Sequence, residues 1–188
     1  MRIDPPFRRR PGSLAVERAG RGEVLLLAAR PWFIWTTLLV ALLLDFLPLG
    51  WLPWLPDVLA VALVFWAVHQ PRRVGIGVGF MLGLVIDVQR TGLLGAHALA
   101  YTLLAFFAVA LHRRLLWFSL PMQALQVLPL FFAAQFLEFF VRMVAGASFP
   151  GWSFFLAPIL QALLWPAVSW LLLAPQRRAP DADENRPL

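Results

Sequence analysis

Six apolar blocks follow one another along the chain, at residues 31–49, 50–69, 74–91, 95–111, 119–146 and 152–174. The hydrocarbon core of a bilayer is about 30 Å thick and takes roughly 20 apolar residues of helix to cross. Each block is therefore expected to be one membrane-spanning helix, with the second and third only just long enough. Trp51 and Trp54 precede the dense apolar run from Asp57 to His69 and read as anchors at the membrane surface. The third block is interrupted at Gly75, Gly77, Gly79, Gly83 and Asp87. A helix with so many weak positions is expected to pack against protein rather than stand alone in lipid.

Arginine placement gives these spans an orientation. All sixteen basic residues are Arg and none is Lys. Seven lie between Arg2 and Arg30. Arg72, Arg73, Arg113 and Arg114 occupy short turns, and Arg177, Arg178 and Arg186 follow the last block. The alternate connections hold only Arg90, and Arg142 falls within a span. Fourteen against one is a positive-inside pattern, which predicts six helices with both chain ends in the cytoplasm. Residues 1–21 are expected to form a basic disordered tail near anionic lipid headgroups. Residues 22–174 form the transmembrane domain, and 175–188 a disordered cytoplasmic tail. The N-terminal region has no small-residue cleavage site ahead of its first long apolar block, so it does not read as a signal peptide.

Composition agrees with this picture and closes off others. Hydrophobic residues make up 61% of the chain and charged residues 14%, too apolar for a soluble enzyme and far too apolar for a disordered chain. The net charge of +6 follows membrane topology and so does not point to nucleic acid. Without cysteine or lysine, thiolate metal sites, Cys nucleophiles and Schiff-base chemistry are excluded.

The chemistry-bearing residues fall at defined depths. His69 and His112 belong at the arginine-rich ends of their spans and His97 at the opposite end, so the three are expected not to share a metal site. The GIGVG run at 75–79 lacks the strand and spacing of a dinucleotide loop. Gly75, Gly79 and Gly83 are instead read as a helix-packing ridge that continues to Asp87. Ionisable residues inside a bilayer cost several kcal/mol and by default mark function. Counted from the cytoplasmic ends, Asp45, Asp87, Glu138 and Arg142 lie in the outer half, with His97 at its edge. Glu138 and Arg142 are spaced for a helical ion pair, and Gln135 extends their face. The pair either neutralises itself, with Asp45 and Asp87 simply near the interface, or lines a polar cavity open outward to a ligand or a partner's membrane segment. Asp87, His97, Glu138 and Arg142 are the candidate outer-half polar cluster. Arg72, Arg73, Arg113 and Arg114 would form a basic cytoplasmic surface. Pro121, Pro129, Pro158 and Pro166 are expected to interrupt the last two spans. No nucleophile elbow, zinc-protease motif or Walker loop is present, so no catalytic residue, metal or cofactor is expected.

Several segments carry a resemblance. They are RPWFIWTTLLVALLLDFLP at 30–48, PDVLAVALVFWAVHQPRRVGIGVGFMLGLVIDV at 56–88, LLGAHALAYTLLAFFAVALHRR at 93–114, QALQVLPLFF at 123–132 and LLWPAVSWLLL at 163–173. In this order they resemble the rod shape-determining MreD family in its proteobacterial form, over about residues 24–174. The most specific parts are W-x-x-x-x-P-R-R-V-x-x-G-x-G-F at 66–80, G-F-x-x-G-x-x-x-D at 79–87 and L-G-x-x-A-L-A-Y at 94–101. The resemblance implies a non-catalytic inner-membrane scaffold of the cell-elongation machinery. Its partners would be MreC, the actin-like MreB, RodA and a penicillin-binding transpeptidase, and its role would lie in peptidoglycan synthesis and rod shape. It also implies an all-α fold similar to the substrate-binding subunits of energy-coupling-factor transporters. A small-molecule-binding subunit of such a transporter, with its ligand near Asp87, His97, Glu138 and Arg142, is the alternative function. The first span, TTLLVALLL, has one Ala where an Ala-rich docking stripe would be expected, which weighs against that alternative.

Overall fold

The computed structural model describes residues 30–47, 54–90 and 93–176. Residues 29–173 form one compact unit; of a second, comprising 1–28 and 174–188, the described part is a 3-10 turn, Ala174–Gln176. The expected basic tail, the Trp51 anchor and most of the expected C-terminal tail lie outside the described residues. Among the described residues the chain is all-helical. Six α-helices run in chain order: α1 Pro31–Asp45, α2 Val58–His69, α3 Ile76–Gln89, α4 Ala96–Leu116, α5 Leu120–Val144 and α6 Ala157–Leu173. A 3-10 turn, Trp152–Leu156, leads into α6.

Helix starts follow local chemistry. Pro31 opens α1 and Pro121 opens α5, where a missing N–H costs nothing. Asp57 caps α2 by accepting from the Ala60 amide at 2.7 Å. Pro121 and Pro158 therefore stand at or near helix starts, and α5 and α6 run on through Pro129 and Pro166. The expected interruption of the last two helices does not occur.

Length divides the helices into two groups. α4, α5 and the stretch Trp152–Gln176 are long and apolar enough to cross a membrane, whereas α1, α2 and α3 have 15, 12 and 14 residues. At 1.5 Å per residue α2 is about 18 Å long, well short of the hydrocarbon thickness. The second apolar block was expected to be helical from residue 50. Among the described residues the helix begins only after Pro56, in keeping with the bias of a proline against helix in the residue before it.

α2 is the hub. Its ten residues Leu59–Val68 are all buried, so it has no outward face and reads as a core helix. It packs against α1, α4 and α6, while α3–α4, α4–α5 and α5–α6 form successive antiparallel pairs. Trp66 is wholly buried, donates to Thr37 Oγ1 of α1 at 2.9 Å and meets Phe33 edge-on. Phe65 faces Trp165 of α6, and the Trp165 indole donates to Gln123 of α5. Around this core the other helices expose Trp35, Leu39 and Leu43, Phe80 and Met81, Phe106, Leu125 and Phe136, and Leu163 and Trp170. A belt of that kind suits hydrocarbon rather than water.

The α3–α4 contact depends on two glycines. A Cβ at Gly79 would lie 2.7 Å from the Tyr101 carbonyl oxygen, and one at Gly83 would lie 2.5 Å from Ala98 Cα. Gly75 differs: it is the residue preceding α3, and a Cβ there would meet only the Pro71 carbonyl, at 3.7 Å. The close-packed ridge is thus Gly79 and Gly83, continuing to Asp87.

Candidate functional site: a polar cluster at one end of the bundle

Asp87 ends α3 and faces the start of α4. Its carboxylate accepts from the backbone amides of Gly95 at 2.8 Å, His97 at 2.9 Å and Ala98 at 3.1 Å, and from His97 Nδ1 at 2.8 Å. Gly95, the residue that leads into α4, has φ of 104° and offers no capping side chain. The neighbouring helix supplies the cap instead, placing a negative charge at the positive end of the α4 dipole. Asp45, at the end of α1, does the same for α2 by accepting from the Leu59 amide at 3.0 Å. The two aspartates serve different helix starts.

His97 is buried and ties three helices together. With Nδ1–H given to Asp87, its Nε2 accepts from Arg90 Nη1 at 3.1 Å. Glu138 of α5 lies 3.3 Å from the same nitrogen. One turn on, Arg142 Nη2 pairs with Glu138 at 2.5 Å, and the Arg142 guanidinium stands 6.0 Å from the Phe154 ring centre. Gln135 Nε2 donates to the Phe154 carbonyl at 3.4 Å, tying α5 to the 3-10 turn. Asp87, His97, Glu138 and Arg142, drawn from α3, α4 and α5, thus come together as one cluster.

Three participants were not singled out from sequence. Tyr101 donates its hydroxyl to Asp57, 44 residues away in the chain, and its ring stands perpendicular to His97. Arg90 joins through His97. Each carried a faint signal: Tyr101 is the chain's one Tyr, Arg90 the one Arg of the alternate connections, and Asp57 the polar residue that opens an apolar run. A cleft of about 410 Å³ opens beside the cluster, lined by Asp87, Arg90, His97 and Arg142 with the apolar Leu93, Ala96, Ala145 and Ala147.

The other end of the bundle is built differently. Arg72 and Arg73 in the α2–α3 turn and Arg113 and Arg114 in the last turn of α4 are exposed. His69 Nδ1 donates to the Phe65 carbonyl at 2.8 Å and its ring stacks on Phe65, while His112 Nδ1 donates to the Val109 carbonyl. Among the described residues, no group of three His, Cys, Asp or Glu side chains is arranged to hold a metal ion.

Residues 28–174 match the family described as rod shape-determining protein MreD. The chain belongs to the MreD family. The matched stretch takes in all six described helices and both ends of the bundle. A curated relative, the rod shape-determining protein MreD of Haemophilus influenzae (strain ATCC 51907 / DSM 11121 / KW20 / Rd), is 32% identical over 131 residues, covering 70% of this chain and 80% of the relative. No solved structure matches the fold. Membership in the MreD family carries a role in rod-shape determination and a place in a membrane.

Proposed function

We propose that the protein is a non-catalytic, multi-pass subunit of the bacterial inner membrane. It would be a scaffold that links MreC with MreB, RodA and a penicillin-binding transpeptidase in the complex that elongates the cell wall. The observation that carries this reading is the family match over residues 28–174, which covers the whole helical unit. In this reading all six helices belong to the membrane domain, 22–174. α1, α2 and α3 are too short to span as ideal helices, and would reach across with the segments that flank them. Both termini face the cytoplasm, and the arginine turns lie on that side by the positive-inside rule. The basic tail of 1–21 and the tail of 175–188 flank this domain. The arrangement is proposed to be similar to the substrate-binding subunits of energy-coupling-factor transporters.

Close helix packing supports a scaffold role, because a surface that partners recognise must be held in one shape. Affinity purification from native membranes in mild detergent, followed by mass spectrometry, tests the reading. Recovery of MreC and the elongation enzymes is expected, and Gly83→Leu should abolish it. An ATPase pair with a stoichiometric small molecule in place of those partners would overturn it.

A further inference from the structure

The cleft beside the polar cluster holds charges that its neighbours leave unequally satisfied. Asp87 already accepts four hydrogen bonds. Glu138 is engaged by Arg142 and flanked by His97. The two guanidiniums that line the same cleft are much less occupied. Among the described residues, Arg90 hydrogen-bonds to the His97 ring and lies within 4.0 Å of no carboxylate, while Asp57, Glu138 and Asp45 act on its charge from farther off. Arg142 reaches Glu138 through Nη2, and its side chain stays 32% exposed. Each guanidinium presents five N–H donors in a planar fork, so most of these donors remain available to the cleft.

Two cations with spare forked donors fit an oxyanion; arginine forks match carboxylate and phosphate alike, and of the two only phosphate has acceptor oxygens enough for two forks at once. The remaining wall, Leu93, Ala96, Ala145 and Ala147, is apolar, so it would take the uncharged part of the same molecule. At about 410 Å³ the space is larger than a bare phosphate needs and falls in the range of organic-ligand sites. We infer that this cleft binds a phosphate ester, gripped by Arg90 and Arg142, with its organic portion against the alanine and leucine wall. Such an ester is available from a phospholipid headgroup or from a soluble metabolite. The inference stands on these side chains and does not depend on the partners proposed above.

The test uses the full chain, delipidated in mild detergent, with binding followed by native mass spectrometry. The probes are dioleoylphosphatidylglycerol, glycerol 3-phosphate and dioleoylglycerol, which lacks the phosphate. Saturable one-to-one binding of either phosphate-bearing probe, with none of dioleoylglycerol, is expected. Binding of the phospholipid alone identifies a lipid headgroup; binding of glycerol 3-phosphate admits a soluble ester. Arg90→Gln removes the charge and the fork but keeps an amide donor, so it should weaken binding at least about tenfold. Arg142→Lys, which keeps a charge for Glu138 but loses the fork, should weaken it also. Equal retention of dioleoylglycerol, no binding of either phosphate probe, or wild-type affinity in Arg90→Gln would overturn the proposal.

Discussion

The two ends of the bundle use the same residue types for different purposes. At the capped end, Asp45, Asp57, Asp87, His97, Tyr101 and Glu138 make their bonds largely between helices, or to the start of a helix. At the arginine end, His69 and His112 bond back to their own helix, and Arg72, Arg113 and Arg114 face outward. The difference follows from what each end must satisfy. At the capped end α2 and α4 begin side by side, so their unpaired backbone amides lie close together inside protein and acids from α1 and α3 answer them. At the arginine end α3 and α5 begin beside exposed turns, where water can satisfy their amides. Arg72, Arg113 and Arg114 face outward and can serve topology, and mutations at the two ends should differ accordingly.

The largest effect is expected where the capped end depends on close approach. Gly83→Leu would drive a side chain into the Ala98 backbone of α4. A cost of about 3 kcal/mol or more is expected, seen as a collapse of the thermal melt in detergent. Asp87→Ala comes next. It removes the acceptor for three α4 amides and His97, and stability should fall by about 2–4 kcal/mol, measured by chemical denaturation. Tyr101→Phe leaves the shape intact and removes one bond to Asp57, so a loss of about 1–2 kcal/mol is expected by the same measurement. At the arginine end, replacing Arg72, Arg113 and Arg114 together by Ala should shift stability by less than about 0.5 kcal/mol per site. Reporter fusions at the chain ends should nonetheless show mixed orientation, and unchanged orientation would break the assignment of these turns to topology. Gly77→Ala should run in the opposite direction. A Cβ there meets nothing within 4 Å, so a gain of about 0.5–1 kcal/mol from helix propensity is expected.

Much of this division could be read from the sequence, for physical reasons. The apolar blocks mark the helices because desolvating a backbone requires apolar side chains around it. Counting depth along each block put Asp87, His97, Glu138 and Arg142 at one level, and the structure brings them together. Partners across helices were another matter. The Tyr101–Asp57 and Arg90–His97 pairs depend on which helices adjoin, and spacing along the chain carries no trace of that. Gly75 shares the four-residue spacing of Gly79 and Gly83, but periodicity cannot say that the helix starts just after it. The shortness of α2 was legible in principle, since Pro53 and Pro56 stand ahead of Asp57. The hydropathy of the block concealed it.

The complete enclosure of α2 also bears on how the molecule is made. This helix is the second of those described to leave the ribosome, yet Trp165, which meets Phe65, belongs to α6, the last of them. Until α6 arrives, one side of α2 has no native neighbour, and at 12 residues it is too short to rest across a bilayer as an independent helix. Final seating of the core must therefore wait until α6 has been made. A chain truncated before α6 should expose α2 and be cleared by membrane proteases, which makes the last helix a checkpoint for assembly of the first ones.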